Sequence, residues 1–304
     1  MDHHNQFRRA AIDRGIPDDE IDEFTDHLRF AIHLGSAGDG EQVVGQRGGL
    51  PRLPVGAEWP SDGSGSPLPF VASVDCAVLP RVGGLPLPED GSLLFFLHHE
   101  NDLLAPLGTD VPEFARVVYV PAGAETAVAS PPPGHDSTTP FHEDIPFLTP
   151  ERPLSASVQP ELPEWIEDDE YDFEESDQVI EEQLLGELEH VDDLCELVDE
   201  LWPESDRGLV VNLGGYCSEI GGQNDPWTQM AHIGITSRLD DSDFPGSERF
   251  QPGEVEKYRL TREWVTLAQF PTDSEVHYGC FLISRDDLAD KRFDRTLSFT
   301  MFTE

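Results

Sequence analysis

Apolar positions in the first 35 residues recur at helical spacing. Ile21, Phe24, Leu28, Ala31 and Ile32 fall at steps of three and four, which lines one face of a helix. Pro17 and the acidic run Asp18-Asp19-Glu20 suit its first turn, and Gly35 suits its end. A shorter helix is predicted over Asn5 to Arg14, ending at Gly15. From Gly45 the texture changes. Gly48-Gly49-Leu50-Pro51 runs through Pro54 to Trp59-Pro60, a density of Gly and Pro that excludes helix. Strand-like runs follow at Phe70 to Cys76, Leu93 to His98 and Arg116 to Val120, separated by turn residues as in a meandering sheet.

Residues 121 to 163 hold ten prolines and read as a long extended connection. Residues 161 to 206 hold 21 acidic residues and no Lys or Arg. Within them Ile180, Leu184, Leu188, Val191, Leu194, Val198 and Leu201 form a stripe. That predicts an amphipathic helix of about 20 residues with an anionic outer face, preceded by a loose segment over 164 to 177. Strands return at Leu209 to Leu213, Val265 to Phe270, Gly279 to Ile283 and Leu297 to Phe302. Ser284, with Asp287 three residues on, marks the start of a short helix between the last two.

Two halves repeat one order of cues. Gly48-Gly49, the strand Phe70 to Asp75, and Gly91 opening the strand to Leu97 are followed by Gly214-Gly215-Tyr216, Val265 to Asp273, and Gly279 to Ile283. The expected fold is α+β and antiparallel-sheet-rich, with a duplicated sheet unit, N-terminal helices and one acidic amphipathic helix. Its parts are a helical segment at 1–35 and a sheet-rich domain at 36–304. The domain divides into a first half at 36–120, a Pro-rich and acidic connection at 121–178, and the acidic helix with the second half at 179–304.

Composition narrows the function. Over 304 residues, 19 Lys plus Arg stand against 61 Asp plus Glu, a formal charge of −42. So anionic a chain lacks the cationic face that phosphate contacts require, and nucleic acid is not an expected partner. No apolar run approaches the ~18–20 residues of a membrane span, and the N-terminus has no basic segment leading into an apolar one. Cys76, Cys195, Cys217 and Cys280 form no CxxC pair. They read as reduced thiols of a cytoplasmic protein.

The segment Val44 to Pro60, with its Gly48-Gly49-x-Pro51, Leu53-Pro54 and Trp59-Pro60, leads into Pro67-Leu68, Phe70 and a strand ending at Asp75. Leu213-Gly214-Gly215-Tyr216 with Gln223, and Trp264 to Gln269 with Gly279 to Ile283, Asp287-Leu288 and Phe293, follow in order. These segments resemble the YwqG-like family, the domain of unknown function 1963, over roughly residues 30 to 304. The chain departs from the family pattern at Ser73, where Gln is usual. It departs again at Pro271 to Glu275 and His277 to Cys280, where an Asp-Ser-Asp-like turn and a Trp-Gly-Asp are usual. The resemblance implies an α+β, sheet-rich intracellular protein and no particular reaction.

Motifs for nucleotide phosphates, dinucleotides, zinc peptidases and serine hydrolases are missing from the sequence, and no cofactor or metal is expected. His98-His99-Glu100 and His142-Glu143-Asp144 read as turn residues. Asp240 to Gly246 opens like a calcium loop, but the twelfth position counted from Asp241 is Pro252, which excludes an EF-hand. The candidate binding residues are Trp59, Tyr216 and Trp227 as aromatic anchors, with Asp75, Gln223, Gln269 and Asp273 as hydrogen-bonding groups. The expected function is a binding protein that engages a basic protein through its acidic surface. The alternative is a hydrolase or other small-molecule enzyme with its site between the halves, using Asp75 or Asp273 with His277.

Overall fold

The computed structural model describes residues 3–98, 114–136, 138–139, 146–167, 185–186, 188–203, 208–217, 226–228, 230–231, 252–271 and 277–302. Two helices open the chain, α1 (His3–Arg14) and α2 (Asp18–His27). Phe7 and Ala11 of the first and Ile21 and Phe24 of the second are buried together. The second helix stops earlier than the apolar spacing predicts. Leu28 caps it in an extended conformation, and β1 runs over Arg29–Ser36. The pattern Phe30, Ile32, Leu34 is a strand alternation that points to one face. Ala31 and Ile32 happen to satisfy the helical steps from Leu28 as well. Gly35 lies inside the strand opposite Ser155 and stops no helix.

Four strands then form a meander in the order β2 (Gly45–Arg47), β4 (Phe70–Asp75), β5 (Ser92–Leu97) and β6 (Ala115–Val120). A separate ribbon pairs β3 (Arg52–Pro54) with β7 (Thr126–Val128). The Pro-rich connection holds the sheet's longest strand, β8 (Arg152–Glu161). Its prolines are accommodated because each lies past the end of one neighbouring strand's ladder, although the Ala37 N–H still donates to the Pro153 carbonyl at 2.9 Å. Pro153 pairs with Gln46 beyond the end of β1, and Pro160 pairs with Phe30 beyond the reach of β2. A short helix, α3 (Glu164–Glu167), follows, with Trp165 and Ile166 buried, so the segment expected to be loose is packed over these residues.

Within the acidic stripe lies α4 (Val191–Leu201), 11 residues long and shorter than the helix expected, preceded by a turn at Glu189-His190. The stripe is therefore broken at His190. There the backbone N–H donates to Glu20 Oε2 at 2.9 Å and the ring Nδ1 meets Glu20 Oε1 at 2.9 Å, which takes the chain out of the helical ladder. Residues 180 to 184 of the stripe lie outside the described residues. The second meander is β9 (Leu209–Leu213), β10 (Trp264–Pro271), β11 (His277–Ser284) and β12 (Leu297–Phe302), with α5 (Pro252–Glu263) before β10 and α6 (Arg285–Ala289) after β11. Ser284 caps α6 as expected, its side chain accepting from the Asp287 N–H.

All ten main strands form one antiparallel sheet, ordered β12-β11-β10-β9-β1-β8-β2-β4-β5-β6. The central pair is β1 with β8, and each of these long strands flanks the meander of the other half. Laid flat, β5 and β11 would stand seven strand spacings apart, about 34 Å. Instead the rings of Phe95 and Phe281 meet at 5.4 Å between centroids. The sheet therefore curls until its halves face each other, and the main core fills the concave side. The helical layer continues that core past Phe30.

Candidate functional site

Directly opposed residues of antiparallel strands share a face. On the convex side this gives the row Cys280, Gln269, Asn212, His33, Ser157 in the second half and Pro153, Gln46, Ser73, Leu94 in the first. The outer ends of the row are apolar and covered. Cys280 lies in a cluster with Leu282, Phe299, Trp227 and Leu260, and Leu94 in one with Phe96, Leu68 and Leu53. Between them the convex face is polar.

The densest polar cluster surrounds Glu161 at the end of β8. Its carboxylate accepts from the Tyr216 backbone N–H at 2.7 Å and the Asn212 amide Nδ2 at 2.7 Å, and meets His33 Nε2 at 2.7 Å. A carboxylate oxygen accepts, so in this contact the imidazole donates from Nε2. The turn that delivers Tyr216 requires glycine. Gly214 and Gly215 hold φ of 83° and 69°, and a β-carbon on Gly215 would lie 1.8 Å from Glu161 Oε2. The other Gly-Gly turn, Gly48-Gly49 after β2, has φ of 63° and 70° and is likewise crowded, by Thr149 and Glu151.

Arg29 completes the cluster. Its guanidinium stacks 4.0 Å from the Tyr216 ring centroid and donates to the carbonyls of Gly215 and of Thr261 in α5. The Tyr216 hydroxyl donates to the His27 carbonyl at 2.7 Å, and burial pushes its pKa up. Asn212 is 5% exposed, and its Oδ1 has no partner among the described residues. Gln269 is buried beside it as its cross-strand partner.

The expected residues thus separate. Tyr216 and Gln269 come together around Asn212. Asp75 lies on the same sheet face in the first half, its Oδ1 accepting from the Ala77 N–H at 3.0 Å. It lines a cleft of about 290 Å³ with Gln46, Ser73, Ser92, Glu151 and Pro153. Trp59 packs edge-on to Phe96 at 5.9 Å and donates its indole N–H to the Leu68 carbonyl at 2.8 Å. Trp227 is buried in the cluster beside Cys280. Trp227 is thus a core residue, and Trp59 is half-buried, covering an apolar patch. Gln223, Asp273 and the side chain of His277 lie outside the described residues, as do His99-Glu100, His142 to Asp144 and Asp240 to Gly246.

His33, Glu161, Asn212 and Arg29 went unread as site residues. His33 and Arg29 lay in a predicted helix, and Glu161 at the junction of the Pro-rich and acidic runs. Only the Gly-Gly-Tyr turn signalled the place. No group of three or more His, Cys, Asp or Glu suited to hold a metal occurs among the described residues. Nor does any helix among them have the length and apolarity to cross a membrane.

Comparison with the curated proteins finds no match to this chain. A family model does match, over residues 46–300, which takes in both meanders but for the first residue of β2 and the last two of β12, both Gly-Gly turns and the whole of β8. The chain belongs to the family described as domain of unknown function DUF1963.

Proposed function

We propose that this chain is a binding protein that engages a basic protein partner through the acidic surface of its helical layer. The supporting observation is the pairing of α2 with α4 through Glu20 and His190. It turns both apolar faces inward and leaves Asp18, Asp19, Asp22 and Asp26 of α2 and Asp192 and Asp193 of α4 exposed. Arg8 and Arg14 of α1 pair with Asp18, Asp22, Glu196 and Glu200, yet those carboxylates stay more than half exposed. Such a surface steers a cationic partner and loses reach as salt screens it. The test is affinity capture from host lysate at low and high salt, with wild type and with an Asp18→Asn, Asp22→Asn, Asp192→Asn, Asp193→Asn variant. A stoichiometric basic partner lost to both salt and variant supports the reading. Capture indifferent to both sinks it. A cytoplasmic site of action accompanies this proposal, in keeping with the reduced cysteines.

The strand order also supports a duplicated unit. Each half is one long strand followed by a four-strand meander, and both first meander strands end in a positive-φ Gly-Gly turn. On this reading β1 and β8 are equivalent strands that pair with each other across a pseudo-twofold axis.

One observation favours the hydrolase alternative. His33 is paired with Glu161, and Ser157 stands directly opposite it on the same face. Cross-strand β-carbons at such a pair are about 4.5–5.5 Å apart. A carboxylate-oriented imidazole with a nearby hydroxyl is the arrangement that activates a serine nucleophile. A panel of activated esters and amides tests it. Turnover abolished by Ser157→Ala and by His33→Ala supports the enzyme. No turnover, or turnover indifferent to both, removes it.

A further inference from the structure

Two of the four cysteines touch. Cys217 follows Tyr216 at the end of the Gly-Gly turn, and Cys280 lies in β11 opposite Gln269. Their sulfurs are 3.0 Å apart, and both side chains are buried in the cluster of Trp227, Met230, Ala231, Leu260, Leu282 and Phe299. A disulfide needs about 2.05 Å between sulfurs, so closing the gap moves each sulfur by roughly half an ångström. The other thiols have different surroundings. Cys76 is buried with its pKa pushed up to about 12, and Cys195 faces the Ile166 carbonyl.

We infer that Cys217 and Cys280 form a reversible intramolecular disulfide, a modification site for hydroperoxides that fastens the Gly214-Gly215-Tyr216 turn to the sheet. Cys217, at 5% exposed against 0% for Cys280, meets the oxidant first. Its thiolate attacks one oxygen of the hydroperoxide, the O–O bond breaks, and the proton released by the thiol leaves with the other oxygen as water or an alcohol. The resulting sulfenic acid is attacked by Cys280. The S–O bond breaks, the sulfenic oxygen departs as water with the Cys280 proton, and the S–S bond forms. Two thiols are oxidised and one hydroperoxide is reduced. A dithiol reductant reverses the step by exchange.

The consequence follows from the neighbours. Tyr216 holds the Arg29 guanidinium over its ring and gives its N–H to Glu161, while Gln269 pairs with both Cys280 and Asn212. The bond would join the two sides of that polar cluster covalently. The inference stands apart from the acidic helical surface and from the choice between binding and catalysis.

The test uses the full-length wild-type chain, treated with hydrogen peroxide, then unfolded and alkylated, with intact mass and non-reducing peptide mapping as readouts. The expected result is loss of two of the four alkylatable thiols, an intact mass with two alkyl adducts in place of four and two hydrogens lost to the bond, and one linked peptide joining Cys217 to Cys280. Dithiothreitol should restore all four thiols. Cys195→Ser should still form the link, and Cys280→Ser should retain no intramolecular link. Four thiols surviving treatment, a different cysteine pair, an intermolecular link, or oxygen added at Cys217 without a link would each overturn the inference. The wild-type map decides the matter even if Cys280→Ser fails to fold.

Discussion

The Glu161 carboxylate occupies the space a β-carbon on residue 215 would need, 1.8 Å from that position. Glycine at 215 is therefore required twice, by its φ of 69° and by the carboxylate against it. Gly215→Ala should cost about 2–5 kcal/mol, combining ~1–2 kcal/mol for a left-handed alanine with ~1–3 kcal/mol for polar groups that lose Glu161. Gly56→Ala is the control. Gly56 has φ of 86° with nothing within 4 Å of the added carbon, so only the backbone part applies. Urea unfolding of both variants measures the difference; equal losses would mean that Glu161 yields without cost.

The curl of the sheet rests on contacts between its two halves, foremost Phe95 on Phe281. Both rings are fully buried. Each Phe→Ala change should cost about 3–5 kcal/mol. The double variant should cost less than the sum, with a coupling of about 0.5–1.5 kcal/mol for the ring pair. Additivity within error in a double-mutant cycle would show that the halves do not bear on each other at this point.

The peripheral strands were legible because each is a short apolar run between turns. Phe70 to Cys76 and Leu93 to His98 became β4 and β5 within a residue or two, and Ser284 capped its helix as its spacing with Asp287 implied. The two central strands were not. Phe30 to Leu34 alternates as a strand, but Ala31 and Ile32 also continue the helical steps of α2. Arg152 to Glu161 carries two prolines that normally exclude a central strand, and they are tolerated because each lies past the end of one neighbouring strand's ladder. The site followed suit. Tyr216 and Gln269 stood on readable elements, whereas His33 and Glu161 sat on the strands that local pattern misassigns.

Cys76 gives a prediction of inertness. Burial raises its thiol to about 12, so almost none is thiolate near pH 8. In the native protein it should be the slowest cysteine to alkylate, slower than half-buried Cys195. Peptide mapping after timed iodoacetamide exposure orders the two, and faster labelling at Cys76 would show that its shell opens readily.

Two histidines on the helical layer act in opposite directions on stability. Hydrogen bonding to Glu20 raises the pKa of His190, so the folded state holds that proton more tightly than the unfolded chain. Its contribution is complete below about 6.5 and is lost as pH rises through the folded value. His27 is buried edge-on against Trp165, and burial lowers its pKa. The unfolded chain then takes up the proton first, so the His27 contribution is present above about 6.5 and is lost as pH falls through the folded value. Together they place the histidine-dependent maximum near pH 6.5. Unfolding free energies measured from pH 5 to 8 should show His190→Gln flattening the slope above that point and His27→Gln the slope below it. If His190→Gln altered the acid side instead, the proton on His190 would not be held by Glu20.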